Sequence, residues 1–267
     1  MRKKLVGYGL LFPMLLGFTT FYVIPVFIMI WYSVSWGIGK REFVGLENYI
    51  ELLQNEMFLL AAKNTLRFLI VSVPAILLFS LLVALLLQRV GRYASGLRTA
   101  YFYPMLIPIA SVVLFVQILF GKHMESTNAF WVLCLLYIWK FFGYHVLILY
   151  ARLQMIPKEY YDYASLFGAG AWAGFRYITM PLLAPVFLFN ILLAVMNAFK
   201  CYREAFLLGG NYPNESIYLM QHFIHNNFQN LNYQKISTAS VLLMMSILGS
   251  VIIVVGVYYL GRRMKRA

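Results

Sequence analysis

Apolar residues run along this chain in long uninterrupted blocks, without the regular polar interruptions of a soluble helix or a half-buried strand. Blocks long enough to cross a bilayer cover residues of about 9–36, 68–88, 99–120, 129–151, 182–208 and 236–260. In hydrocarbon a helix satisfies its own backbone and an isolated strand does not. The expected fold class is therefore all-α, a polytopic membrane protein with six transmembrane helices. The first block follows Arg2, Lys3 and Lys4 but is too long for a secretory leader, and no A-x-A cleavage signal follows a short apolar core. Pro25 is expected to kink it, and Trp31, Tyr32 and Trp36 to mark the membrane interface.

The polar connections assign the sides. Residues 37–63 carry Glu42, Glu47, Glu51 and Glu56 and are expected outside, as is the short turn 121–128 with Glu125. Arg89, Arg92 and Arg98 occupy a connection without an acid, Lys158 and Arg176 with nearby Arg152 mark the central one, and Gly261 to Arg266 closes the chain in basic residues. Cytoplasmic loops gather Lys and Arg, so these connections and both termini are expected on the cytoplasmic side.

Composition agrees with a life in lipid: 62% of residues are hydrophobic and 12% charged, against about half and about a quarter in soluble domains. The net charge of +13 does not indicate nucleic acid, because the basic residues sit at the ends of apolar blocks and not on one recognition surface. Cys134 and Cys201 fall in apolar segments and read as small buried hydrophobes.

The longest piece that cannot live in a bilayer is 156–181. Pro157 suits a first helical position, Glu159 and Asp162 fall in the first turns where the helix dipole favours negative charge, and Gly168 ends the helix. Tyr160, Tyr163, Ala164 and Phe167 recur at i, i+3, i+4 and i+7 and form one apolar stripe. A helix of roughly eleven residues is marginal alone, so this chain or a partner must cover the stripe.

A few polar residues lie inside the apolar blocks. Lys140 is central in the fourth, where a lysine facing lipid costs about 2.5–3.5 kcal/mol, so it must face protein or water, as half of an internal ion pair or as part of a polar path. Asn190 and Asn197 share a face of the fifth block, and Lys200 and Glu204 follow at i and i+4; either the asparagines bond neighbouring helices and the Lys and Glu pair with each other, or these residues line that path. His222 and His225 share a helix face without a carboxylate or cysteine cluster, so no metal site and no cofactor are expected. Ser246 and Ser250 offer a small face for close helix packing. There is no G-x-x-x-x-G-K-[ST] phosphate loop, no HExxH, no GxSxG and no paired aspartates in the blocks, so the chain is expected to be neither an ATPase nor an intramembrane enzyme.

The run Asp162-Tyr163-Ala164, three residues, Gly168, nine residues, Ile178, one residue, Met180-Pro181 resembles the EAA loop of the membrane subunits of binding-protein-dependent ABC importers. Asp162 stands for the family's Glu, Tyr163 for Ala, Phe167 for the usual Asp of the sugar branch and Met180 for Leu. The words FVGLENY (43–49), KNTLRF (63–68), LRTAYFYPMLIP (97–108), WKFFGY (139–144) and the Gly-rich GGNYPNESIY (209–218) resemble carbohydrate-type, maltose-family permeases. The resemblance implies a type I importer permease fold, one permease domain over 1–267, and a location in the bacterial inner membrane. It implies that Glu159, Tyr160, Asp162, Tyr163, Ala164, Phe167 and Gly168 couple to a cytoplasmic ATPase dimer that supplies the ATP hydrolysis. It further implies a second homologous permease, an extracytoplasmic solute-binding protein, and a sugar path to which Tyr137, Lys140, Phe141, Tyr144, Asn190 and Asn197 contribute. Asn214-Glu215-Ser216 fits a glycosylation sequon that such a transporter is expected to leave bare. A glycerol phosphate or polyamine importer, or a stand-alone channel or facilitator, remains the alternative.

Overall fold

The computed structural model describes residues 11–37, 42–90, 94–121 and 128–264. Arg2, Lys3, Lys4, Arg92, Glu125, Lys265 and Arg266, named above for their charge, lie outside the described residues. Helix α1 (Leu11–Ser33) is followed by a short antiparallel pairing of β1 (Ser35–Trp36) with β2 (Glu42–Phe43). Then come α2 (Glu47–Leu53), α3 (Glu56–Val90), α4 (Ala94–Leu106), α5 (Ile109–Phe120), α6 (Ala129–Gln154) and α7 (Glu159–Leu166). The chain continues through α8 (Ala171–Gly174), α9 (Met180–Lys200), α10 (Tyr202–Gly209), α11 (Met220–Gln229) and α12 (Tyr233–Met264).

Among the described residues five helical stretches are long and apolar enough to cross a membrane: Leu11–Ser33, Glu56–Val90, Ala129–Gln154, Ala171–Gly209 and Tyr233–Gly256. The third expected span, 99–120, is instead two helices, α4 and α5, broken at Ile107 and Pro108. The proline ring disfavours helical geometry in the residue before it, and Pro108 itself is extended (φ −56°, ψ 125°) as it caps α5. With 12 residues, α5 is about 18 Å long, short of the roughly 30 Å of hydrocarbon. The second span begins earlier than expected, so KNTLRF is already helical within α3. The fifth span also begins early, and residues 171–181 of the expected central loop form its base.

Two prolines leave the same mark. A π-helical turn, Thr19–Val23, precedes Pro25 in α1, and another, Phe175–Thr179, precedes Pro181 at the start of α9. Proline lacks an N–H and its ring presses on the carbonyl four residues back, here Phe21 and Tyr177; the wider turn makes room without ending the helix.

The chain divides into two compact units. In the first, residues 1–59 and 220–246, Asn48 donates to the carbonyls of Ser33 (3.0 Å) and Ser35 (3.1 Å), which ties α2 to the end of α1. Lys235 pairs with Glu51 at 3.1 Å, and Phe58 meets Phe223 edge-on. In the second, residues 60–219 and 247–267, an apolar cluster of Leu81, Ala84, Val146, Leu149, Leu153 and Leu183 joins α3, α6 and α9. Phe68 and Tyr137 stack edge-on within the same unit.

Candidate functional site

Helix α7 begins at Glu159, with Pro157 in the preceding turn, where its carbonyl accepts from the Tyr160 N–H, and not at the first helical position. Gly168 ends it as expected. Its N–H reaches the Ser165 carbonyl (2.9 Å), and its φ of +77° turns the chain so that the Ala169 N–H reaches the Ala164 carbonyl (3.1 Å), a Schellman closure. A Cβ built on Gly168 meets nothing within 4 Å, so Gly168→Ala carries backbone strain alone. It is expected to cost about 1–2 kcal/mol, seen as a lower melting temperature of the purified chain with its helical signal unchanged.

None of the eight residues of α7 is buried. Tyr160 is 50% exposed, Tyr163 66% and Phe167 91%, so the described residues leave the stripe uncovered. Glu159 and Asp162 are exposed in the first turn, no ion pair forms between Asp162 and Lys158, and Ala164 is half-buried. The helix is held from behind by a residue the sequence reading passed over. The Tyr161 hydroxyl lies 2.8 Å from Thr179 Oγ1, its ring packs on the apolar cluster beside Phe175 and Ile178, and Gly174 admits it at 3.3 Å from where a Cβ would stand. The signal available was that Tyr161 is off the stripe yet aromatic, two positions from where an outward face would continue.

The helices entering and leaving this segment, α6 and α9, are bonded to each other along their length. Tyr137 donates to the Ala194 carbonyl (2.8 Å), His145 Nδ1 meets Asn190 Oδ1 (2.7 Å), and Arg152 Nε donates to the Leu182 carbonyl (3.1 Å). Tyr137, His145 and Asn190 are buried with no measurable exposure. Of the expected path residues, Phe141 is also buried, packed on Tyr137, while Tyr144 and Asn197 are half-buried. Among the described residues His145 Nε2 and Asn190 Nδ2, both buried, meet no hydrogen-bond partner.

Lys140 forms an internal ion pair, its Nζ 2.5 Å from Glu204 Oε1 and 5.0 Å from the Phe141 ring centre. Glu204 therefore does not pair with Lys200, contrary to the i, i+4 expectation. Helix α9 ends at Lys200 and Cys201 (ψ −4°) is the single turn residue before α10, while the Glu204 carboxylate is taken by Lys140 of α6. Lys200 is exposed and Glu204 turns inward to α6. Elsewhere Cys134 and Cys201 are buried free thiols, and the Asn214 side-chain Oδ1 accepts from Ser216 N and Oγ. Ser246 and Ser250 bond back to carbonyls of their own helix, and His222 is buried while His225 contacts Gln229. Among the described residues no three His, Cys, Asp or Glu side chains gather as a metal site.

Residues 8–266 match the family described as the inner membrane component of binding-protein-dependent transport systems. Two relatives align along more than nine-tenths of this chain. The probable starch degradation products transport system permease protein AmyD of Thermoanaerobacterium thermosulfurigenes is 27% identical over 270 residues, covering 94% of this chain and 92% of its own. The sn-glycerol-3-phosphate transport system permease protein UgpA of Yersinia pestis is 27% identical over 272 residues, covering 92% and 91%. In three dimensions the chain matches one from the crystal structure of a bacterial ABC transporter that imports the acidic polysaccharide alginate, with a TM-score of 0.82 over 97% of this chain and 96% of that one, at 19% identity. The chain thus has the fold of an ABC importer permease, is a multi-pass membrane protein and a transport subunit, and belongs to the family of inner membrane components of binding-protein-dependent transport systems.

Proposed function

We propose that this chain acts over its whole length as one half of the translocation path of an ATP-driven importer of a sugar or oligosaccharide. A second homologous permease supplies the other half, a solute-binding protein delivers the substrate outside, and a cytoplasmic ATPase dimer supplies the energy. The bacterial inner membrane holds the chain with both termini and α7 on the cytoplasmic side.

The observation that carries this reading is the uncovered stripe Tyr160, Tyr163 and Phe167 on a helix anchored from behind by Tyr161. On a segment too polar to lie in hydrocarbon, a contiguous exposed aromatic stripe supports a protein contact. Because α7 is fixed through Tyr161 to the cluster joining α3, α6 and α9, a pull on the stripe moves the spans. The ATPase must hold the stripe differently in its two states, since a partner that binds both equally shifts nothing. Glu159 and Asp162 supply the polar contacts, and Tyr137, Lys140, Phe141, Tyr144, Asn190 and Asn197 contribute to the solute path or its walls. The starch-product relative supports a sugar; the glycerol phosphate relative supports a second reading, a phosphorylated solute.

Asp162→Arg is the direct test. With the complex purified from membranes, it is expected to release the ATPase, retain the second permease and lower ATP-dependent uptake in vesicles at least tenfold. Unchanged uptake with the ATPase still bound would move the coupling contact elsewhere.

A further inference from the structure

Helix α1 has 23 residues, about 34 Å of helix, and is used up in crossing roughly 30 Å of hydrocarbon. Its Ser33 end therefore stands at a membrane boundary. Helix α2 is held at that level. Asn48 donates to the Ser33 and Ser35 carbonyls (3.0 and 3.1 Å), and the Tyr49 hydroxyl donates to Ser33 Oγ (2.7 Å). Lys235, in the first turn of α12, another span, pairs with Glu51 at 3.1 Å.

Successive residues about 100° apart divide α2 into three faces. Asn48 and Leu52 are buried. Glu47, Glu51 and the C-terminal neighbour Gln54 form an exposed polar face. Leu46, just before the helix, with Ile50 and Leu53 forms the third face, which is apolar yet 67%, 57% and 54% exposed. Phe43, itself exposed, leads into this face and stacks on Trp31 of α1 with ring centres 6.4 Å apart. Trp31 precedes Ser33 by two residues, so the apolar face continues the surface that α1 presents at the membrane boundary.

A helix with one side on its own chain, one acidic side and one oily side has the pattern of a helix lying in the bilayer interface. The alternative occupant, a protein, fits poorly. With seven residues α2 is about 10 Å long, and its apolar face is far smaller than the roughly 800 Å² that each partner brings to a specific interface. A lipid surface needs no matched counterpart, and the face already lies level with one. We propose that α2 is an interfacial helix, with Leu46, Ile50 and Leu53 seated at the acyl boundary and Glu47 and Glu51 among the headgroups. It anchors the end of α1 to the lipid surface through Asn48, and this contact is independent of the solute carried.

The test places a nitroxide on each exposed face, in Ile50→Cys and Gln54→Cys, with Leu53→Cys as a second position on the apolar face. The chain, with the subunits that purify with it, is reconstituted in vesicles of phosphatidylethanolamine and phosphatidylglycerol. The unsubstituted protein, whose Cys134 and Cys201 are buried, gives the labelling background. Collisions with oxygen, which concentrates in hydrocarbon, and with a water-soluble nickel chelate are read by power-saturation electron paramagnetic resonance. The oxygen-to-nickel ratio at Ile50 and Leu53 is expected to exceed that at Gln54 by about tenfold or more. A ratio no higher than at Gln54 overturns the proposal, because the apolar face then stands in water. Low collision rates with both reagents at Ile50 and Leu53 overturn it too, because a protein partner then covers the face.

Discussion

Phe167→Arg is expected to strip the ATPase from the purified complex and reduce ATP-driven uptake to background while the chain itself stays folded. The ring is 91% exposed, so its removal costs this chain almost no packing. All of its apolar surface is available to a partner. An aromatic at the centre of a contact carries about 2 kcal/mol or more on truncation, which is roughly thirtyfold in Kd; arginine adds the burial of a charge. The measurement is the ATPase-to-permease ratio after affinity purification, beside the melting temperature of the chain. Phe167→Leu, which keeps an apolar side chain, should retain part of both activities. An ATPase that stays bound to the arginine variant at the wild-type ratio would remove Phe167 from the contact. A fall in melting temperature equal to that of a core substitution would mean the ring packs on its own chain after all.

Asn190→Leu is expected to destabilise the chain by about 1–3 kcal/mol, because it leaves His145 Nδ1 without its 2.7 Å partner in a core with no measurable exposure. The single variant orphans a group that is already half unsatisfied. The double variant H145L/N190L removes both polar side chains at once and should recover most of the loss. Thermal unfolding of the four proteins of this cycle gives the coupling directly. If the two single variants and the double variant lose stability additively, the His145–Asn190 contact contributes nothing of its own and the seam between α6 and α9 rests on packing.

Hydropathy reveals most of the spans because a bilayer imposes one demand, apolar length, that is written locally in the sequence. It is least informative where geometry depends on a backbone event. Pro104 and Pro108 look alike in the sequence, yet Pro104 lies inside α4 while the helix breaks at Ile107 and Pro108. The stripe was legible because Tyr160, Tyr163 and Ala164 are neighbours in α7 and Phe167 caps it, and Gly168 ended that helix as its residue type implies. The partner of Lys140 was not legible. Glu204 is 64 positions away, while the nearer candidate, Lys200, is four positions from it in the sequence and points to solvent. Tyr161 was missed for a related reason: its role depends on Thr179 and Gly174, which come near only when the chain folds back through α8.

The π-helical turn before Pro181 has a consequence for how this chain can change. A turn of that kind holds one residue more than the α-helical repeat, and each residue of an α-helix advances the chain by about 100° around the axis. Deleting a single residue from Phe175–Thr179 would let the wide turn close into regular α-helix while the segments on either side keep nearly the same bearing, whereas a deletion within regular α9 would swing everything before it by about 100°. The wide turn thus absorbs one residue without turning α7 relative to the fifth span. Among the described residues it is the one place at the base of that span where a single-residue deletion leaves the direction of the chain unchanged.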